Sequence, residues 1–321
     1  MSVKSVAVNL CLVVVSLAVG LVAAEGVLRL KNRSMRNYAI EMWRYGHEIK
    51  ADSDDPVLDH EQARNASAVL QGVAIRTNEW GMRGGPVPSP APGQRRILVL
   101  GASITLGWGV AEDETFTARL ERRLREAGEN AVVMNAGTAN FNAVRSVELF
   151  FDRLEPTEPT DILVHYFLRD AEALGPERGN WLLRNSELAV TLWTVAQEYL
   201  EPRGEASLVD HYRAVYRPDA PGFVAAKAAL KRLADYAHAH GIRLYLVMVP
   251  DIHNLRDYPF GFAHAEMAEV ARELGYRYLD LLPSFGSLPP EKLWALPGDP
   301  HPNALGHRIM ADAIYPLLTT E

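Results

Sequence analysis

Three observations in the 321-residue sequence predict an α/β fold, a three-layer α/β/α sandwich with helices on both faces of a parallel sheet. Short, unbroken aliphatic runs such as Ile97-Leu98-Val99-Leu100 and Ile162-Leu163-Val164 read as strands buried on both faces. Between such runs, apolar residues recur at helical spacing, as Phe116, Leu120 and Leu124 do in "EDETFTARLERRLREAG". From residue 95 onward the two patterns alternate, and that alternation is the mark of βαβ units.

The first element is not part of that alternation. From Ser5 to Ala24, "SVAVNLCLVVVSLAVGLVAA" carries no charge and is about long enough to span a bilayer, so residues 1–24 are expected to form a signal-anchor helix. The competing reading is a signal peptide cut after Ala24, where Val22 and Ala24 fit the small-residue rule. The run is longer than a usual signal-peptide core, which favours the anchor. Lys4 precedes it, while Arg29, Lys31, Arg33 and Arg36 follow, a bias that taken alone keeps the main domain in the cytoplasm.

Residues 25–94 are polar and irregular and close on "GGPVPSPAPGQ", so a juxtamembrane region and linker are expected there. The main domain is expected over 95–321. A strand through Val132 and Val133 leads to a turn and a helix, and the strand at Ile162–Val164 ends in a polar turn. Residues 175–222, with helical patches around Trp181 and Trp193, read as an insertion. "AAKAALKRLADYAHAHG" is a patterned helix stopping at Gly241, a C-terminal cap, and it feeds the strand "IRLYLVMVPD". "EMAEVARELGYRYLDLLPSF" repeats helix and short strand, and "PNALGHRIMADAIYPLL" is the closing helix.

Composition excludes several classes. The chain is 48% hydrophobic and 23% charged, as globular proteins are, and long enough for one large domain with an appendage or for two small ones. Its net charge of -7, without a Lys/Arg block, points away from nucleic acid. Cys11 is the only cysteine, so there is no internal disulfide. No CxxC, HExxH or phosphate-cradling glycine run is present, so neither a metal nor a cofactor is indicated.

Two stretches carry candidate chemistry. Gly101-Ala102-Ser103 ends the first strand of the alternation and puts a serine where open α/β sheets bind ligands. "GDPHPNALGH" sets Asp299 and His301 two apart, just ahead of the closing helix. A serine hydroxyl needs a base to take its proton, and the base needs a carboxylate to fix its tautomer and stabilise its charge. Each piece alone has a plainer reading: Ser103 as a helix N-cap, Asp299 in an Asx-turn, His301 as a surface residue. His307 has the plainer reading of a residue packed on the closing helix.

Together the pieces resemble the SGNH/GDSL hydrolase superfamily, whose serine block comes first and Asp–His block last. "VLGASITLGWGVAEDETF" resembles the first block, "MNAGTANFN" the second, "YFLRDAEAL" the third and "DPHPNALGH" the last. The resemblance covers about residues 76–321, because "TNEWGMRG" is typical just upstream of the serine in membrane-anchored bacterial members. It implies a flavodoxin-like sheet and a single-pass protein whose domain faces the periplasm, against the charge bias. It also implies Ser103 as nucleophile, His301 as base and then acid, and Asp299 as the residue that orients His301. The oxyanion donors would be the backbone N–H groups of Ser103 and Asn140 and the side chain of Arg169.

Three positions and one spacing depart from the family pattern. Ala102 replaces the usual Asp, Asn140 stands at the second-block glycine, and Arg169 replaces the third-block Asn. An Asn tolerates unusual backbone angles, and an Arg can donate to an oxyanion or pair instead with Asp170 or Glu172. The Asp–His spacing is one residue shorter than in many members; polysaccharide O-acetyltransferases such as those for alginate use the shorter form. The resemblance thus implies a cofactor-free esterase acting on acyl groups, acetyl foremost, on a carbohydrate. The alternatives are an O-acetyltransferase fed by a membrane-bound acyl-transfer partner, and a non-catalytic polysaccharide-binding scaffold.

Overall fold

A computed structural model describes residues 3–32, 38–175, 181–200, 205–286, 288–296 and 299–320. The chain opens with α1 (Val3–Asn32) and α2 (Tyr38–Glu48), then two antiparallel pairs: β1 (Lys50–Asp52) with β2 (His60–Gln62), and β3 (Ser67–Leu70) with β4 (Val73–Arg76). Next come β5 (Arg95–Gly101), α3 (Ser103–Leu106), α4 (Phe116–Glu126), β6 (Ala131–Gly137), α5 (Ala143–Leu149) and β7 (Asp161–Phe167). Four helices follow: α6 (Trp181–Asn185), α7 (Glu187–Leu200), α8 (Glu205–Val215) and α9 (Pro221–His240). The remainder is β8 (Arg243–Val249), α10 (Gly261–Leu274), β9 (Arg277–Asp280), α11 (Leu282–Phe285), β10 (Trp294–Leu296), β11 (Asp299–Pro302) and α12 (Ala304–Thr319).

These elements fall into two compact units, one of Met1–Arg44 with Glu177–Pro202 and one of Tyr45–Pro176 with Arg203–Glu321. The larger unit is built on a five-stranded, fully parallel sheet in the order β6-β5-β7-β8-β9. Alternate residues of each strand face opposite layers. Leu98 and Leu100 pack with Val147, Leu230 and Met267 of α5, α9 and α10, whereas Ile97 and Val99 pack with Phe116, Leu120, Met310 and Ile314 of α4 and α12. Cover on both faces is why the strands read as unbroken apolar runs. The expected three-layer α/β/α sandwich is therefore the observed one.

Register decides where a site can form. Gly101 at the end of β5 pairs with Gly137 of β6 and with His165 of β7. From β5 the chain goes first to β6 on one side and later to β7 on the other. That reversal opens a crevice at the carboxyl ends of β5 and β7, where sheets of this order take their ligands.

Two stretches differ from expectation. Residues 45–94 are not a linker throughout: Ile49, Leu58, Leu70 and Ile75 are fully buried and Met82 nearly so. Their strands are three or four residues long, too short for a periodic signal to stand out. The expected insertion at 175–222 divides between the units. Its last part supplies core, since Tyr212 and Tyr216 of the larger unit are buried and the Tyr216 hydroxyl donates to the Leu168 carbonyl at 3.0 Å. Gly241, at φ +67°, ends α9 as its sequence position predicts.

The smaller unit holds α1, α6 and α7. Within Ser5–Asn32, α1 holds an 18-residue stretch of mean hydropathy 2.7 and is the one helix among the described residues long and apolar enough to cross a membrane. The Glu25 carboxylate accepts from Ser186 Oγ at 2.8 Å and from the N–H groups of Glu187 and Leu188 at 3.0 and 2.9 Å, capping α7. Arg29 donates to the Asn185 carbonyl at 2.9 Å and Asn32 to the Glu187 carboxylate at 2.8 Å.

Candidate active site

Ser103 is the first residue of α3, two past the end of β5. Gly101 and Gly137 let this turn rest on the sheet. A Cβ at Gly137 would fall 2.6 Å from the Thr105 carbonyl carbon, and one at Gly101 would lie 2.8 Å from the His165 carbonyl oxygen. Ser103 Oγ lies 2.8 Å from Nε2 of His301. His301 sits on β11, which pairs antiparallel with β10. Two residues on, Asn303 caps α12, accepting from the N–H of Leu305 at 2.9 Å and of Gly306 at 3.2 Å. Its amide donates to the carbonyls of Lys292 and Trp294 at 2.8 and 3.2 Å, so the strand that carries the histidine is fixed at both sides. Residues 198 apart in sequence are thereby brought into hydrogen-bond contact. Asp299 opens β11; its side chain lies outside the described residues.

The loop after β6 carries Asn140, whose φ of +63° is in the left-handed region that Asn tolerates. Its backbone is held from several directions. Thr138 N–H donates to the Gly101 carbonyl at 3.0 Å, and Gln62 Nε2 donates to the Gly137 carbonyl at 2.9 Å. His60 Nε2 donates to the Ala139 carbonyl at 3.0 Å, and the Ala139 N–H donates to the Tyr45 hydroxyl at 3.3 Å. Tyr45, His60 and Gln62 come from the stretch whose composition suggested a linker. Nothing in their local sequence marks them, because their role is set by a loop 75 residues and more downstream.

Arg169 lies in the helical turn after β7, four residues past His165. Its guanidinium is half-exposed, with Nε 3.4 Å from the Glu172 carboxylate, which is in turn 3.1 Å from His211 Nε2. The ion pair is thus made with Glu172 and not with Asp170. The Asp170 carboxylate accepts the Phe167 N–H at 3.0 Å, and burial pushes its carboxyl up to about 7. A half-exposed pair at this distance is worth ~0–1 kcal/mol.

Three further features have roles that the sequence motifs did not assign. Arg83, inside "TNEWGMRG", is buried; its guanidinium donates to the carbonyls of Leu106, of Gly107 at 2.7 Å and of Val110 at 2.6 Å. Its own N–H donates to the Asn135 carbonyl at 2.9 Å, so one cation ties the loop behind Ser103 to β6. Burial lowers its pKa to about 10, which leaves it charged at neutral pH. The second feature repeats the Asp-x-His spacing: on the loop after β8, Asp251 Oδ1 accepts from His253 Nδ1 at 2.7 Å and from its N–H at 2.8 Å. The third holds that loop. Tyr258 donates to His264 Nε2 at 2.7 Å, His264 Nδ1 donates to Asp280 at 2.8 Å, and the Tyr258 oxygen accepts the Asp251 N–H at 3.1 Å.

His307 is fully buried, and its Nδ1 accepts the Phe116 N–H at 3.1 Å, which is the packing role and not a catalytic one. Among the described residues no group of three or more His, Cys, Asp or Glu could hold a metal ion.

No family model matches the sequence, and no curated protein matches it. Among solved structures the chain is similar to TesA, at 16% identity over 70% of this chain and 98% of that one, with a TM-score of 0.46. It is similar to a catalytic mutant of Axe2, an acetylxylan esterase from Geobacillus stearothermophilus, at 16% identity over 71% and 95% of the two chains and a TM-score of 0.47. A third is CEX, a two-domain esterase active on acetylated mannans, at 15% identity, 70% and 49% coverage and a TM-score of 0.46. The chain thus combines a three-layer α/β/α fold with a serine–histidine contact at the carboxyl edge of its parallel sheet.

Proposed function

We propose that the protein is a membrane-anchored serine esterase of SGNH type that removes acyl groups, acetyl foremost, from a carbohydrate on the periplasmic side. The observation that carries this reading is Ser103 Oγ at 2.8 Å from His301 Nε2, at the carboxyl edge of a parallel sheet. Nε2 takes the hydroxyl proton as Oγ attacks the acyl carbonyl carbon. The oxyanion that forms is met by the N–H groups of Ser103 and Asn140 and by the Arg169 guanidinium. Its collapse breaks the ester bond, and His301 returns the proton to the departing sugar oxygen. His301 then deprotonates a water that attacks the acyl-serine, releasing the carboxylic acid and restoring Ser103. Asp299 orients His301 through both steps.

The short Asp299–His301 spacing favours a second reading, in which a polysaccharide hydroxyl replaces that water and a membrane-bound partner supplies the acyl group. A fluorophosphonate tests the shared chemistry. It should add covalently to Ser103, located by the mass of the modified peptide, and the adduct should be absent in Ser103→Ala. An intact, folded protein that stays unlabelled would leave the scaffold reading in its place.

Arg169 has its own test. As an oxyanion donor it serves charge that develops in the transition state, so Arg169→Ala should lower kcat by ~10²–10³-fold with KM little moved. Arg169→Asn restores an amide donor and should recover part of the loss. Equal behaviour of the two variants, with kcat unchanged, would leave Arg169 as a surface partner of Glu172.

A further inference from the structure

The smaller unit exposes more apolar surface than α1 alone accounts for. Trp181 and Leu182 of α6 are 76% and 55% exposed, and Leu192, Trp193 and Leu200 of α7 are 60%, 53% and 76% exposed. From Leu188 to Ala196 α7 carries no charged residue. Its two hydroxyls in that stretch are turned inward: Thr191 donates to the Glu187 carbonyl at 2.7 Å and Thr194 to the Val190 carbonyl at 2.9 Å. The stretch thus presents no charge and satisfies its hydroxyls within the helix, as an apolar medium requires.

Depth follows from the capping contact. Glu25 is the first charged residue after the uncharged run Ser5–Ala24, and a carboxylate avoids the hydrocarbon, so it marks the membrane surface at that end of α1. Its oxygens bond Ser186, Glu187 and Leu188, which places the start of α7 at the same depth. At 1.5 Å per residue, Trp193 lies only about 9 Å along the helix from Glu187, and Trp181 about 6 Å from Asn185. Both tryptophans fall within reach of the headgroup boundary, where such rings concentrate.

We infer that α6 and α7 form a membrane-surface element, with the exposed face of Trp181, Leu192, Trp193 and Leu200 seated in the headgroup–acyl boundary beside α1. The occupant of that face is the lipid bilayer. The inference rests on the reading of α1 as a bilayer-spanning anchor, and its test separates the two. In the full chain with Cys11→Ser, a single NBD fluorophore is attached at Trp193→Cys or, separately, at Leu17→Cys. Each protein is reconstituted into phosphatidylcholine–phosphatidylglycerol vesicles. The label at 193 should be blue-shifted, lose emission to doxyl-labelled lipid and resist aqueous iodide, as the label at 17 does. Leu192→Cys repeats the measurement one residue along. Iodide quenching at 193 with lipid quenching at 17 would overturn the inference alone. Protection from both quenchers at 193 would show that protein covers the face, and would also overturn it. Iodide quenching at both positions would remove the anchor and the inference together.

Discussion

Ser103→Ala and His301→Ala should each lower kcat on a simple acetyl ester by ~10³-fold or more, and the double variant should lose little beyond either single one. The expectation follows from the 2.8 Å contact. Without the base the hydroxyl keeps its proton, and without the hydroxyl the base has nothing to activate. Folding should survive both changes, because α3 is seated by Gly101 and Gly137 and the His301 strand by Asn303, none of which is altered. Steady-state kinetics on the three variants, with melting curves as a control, make the measurement. Losses that multiply in the double variant would refute a shared mechanism.

Acid should unfold the larger unit early. His165 and His307 are buried on either side of Phe116, with ring centroids 4.5 and 5.8 Å from it. Burial lowers the His165 pKa to about 3 and holds that of His307 well below the usual imidazole range. Both are neutral when folded, and the Phe116 N–H donated to His307 Nδ1 enforces that state. In the unfolded chain both take up a proton near pH ~6.5. Their stabilisation is therefore complete above that pH and is lost as pH falls toward the folded pKa values.

Asp170 acts in the opposite sense. Its folded pKa of about 7 means that the folded state holds a proton the unfolded state has lost, between pH ~4 and 7. The net difference in that window is about one proton, or ~1.4 kcal/mol per pH unit. The decline therefore falls mainly below pH ~6, where the two histidines outweigh the one carboxyl. Denaturant melts at pH 7, 6 and 5 should show the decline, and His165→Asn should flatten it. Stability that holds level or rises toward pH 5 would contradict this account.

The layered fold was legible because it depends on patterns that repeat. Strand–helix alternation survives in any sequence that buries a parallel sheet on two faces, and Gly241 announces its cap by residue type alone. Ser103 and His301 were legible as parts of ordered motifs, and the structure joins them. What could not be read were polar residues whose burial depends on distant partners. Gln62, His60 and Arg83 look like surface residues in their own windows, and each is buried because a backbone carbonyl 24 to 79 residues away needs a donor. The short strands of residues 50–76 failed for a related reason, since three or four residues carry no period.

Those same residues set where a working fragment can begin. A protein cut at residue 95 would keep the whole parallel sheet and both partners of the Ser103–His301 contact, and it would look complete to any comparison of fold. It would lack Arg83, leaving three loop carbonyls behind the serine without their donor, and it would lack the Tyr45, His60 and Gln62 props under the Asn140 loop. Such a truncation should fold loosely around its own active centre and turn over substrate poorly. A soluble form fit for crystallisation or assay therefore has to start ahead of Tyr45, roughly fifty residues earlier than the strand–helix alternation that begins at residue 95 suggests.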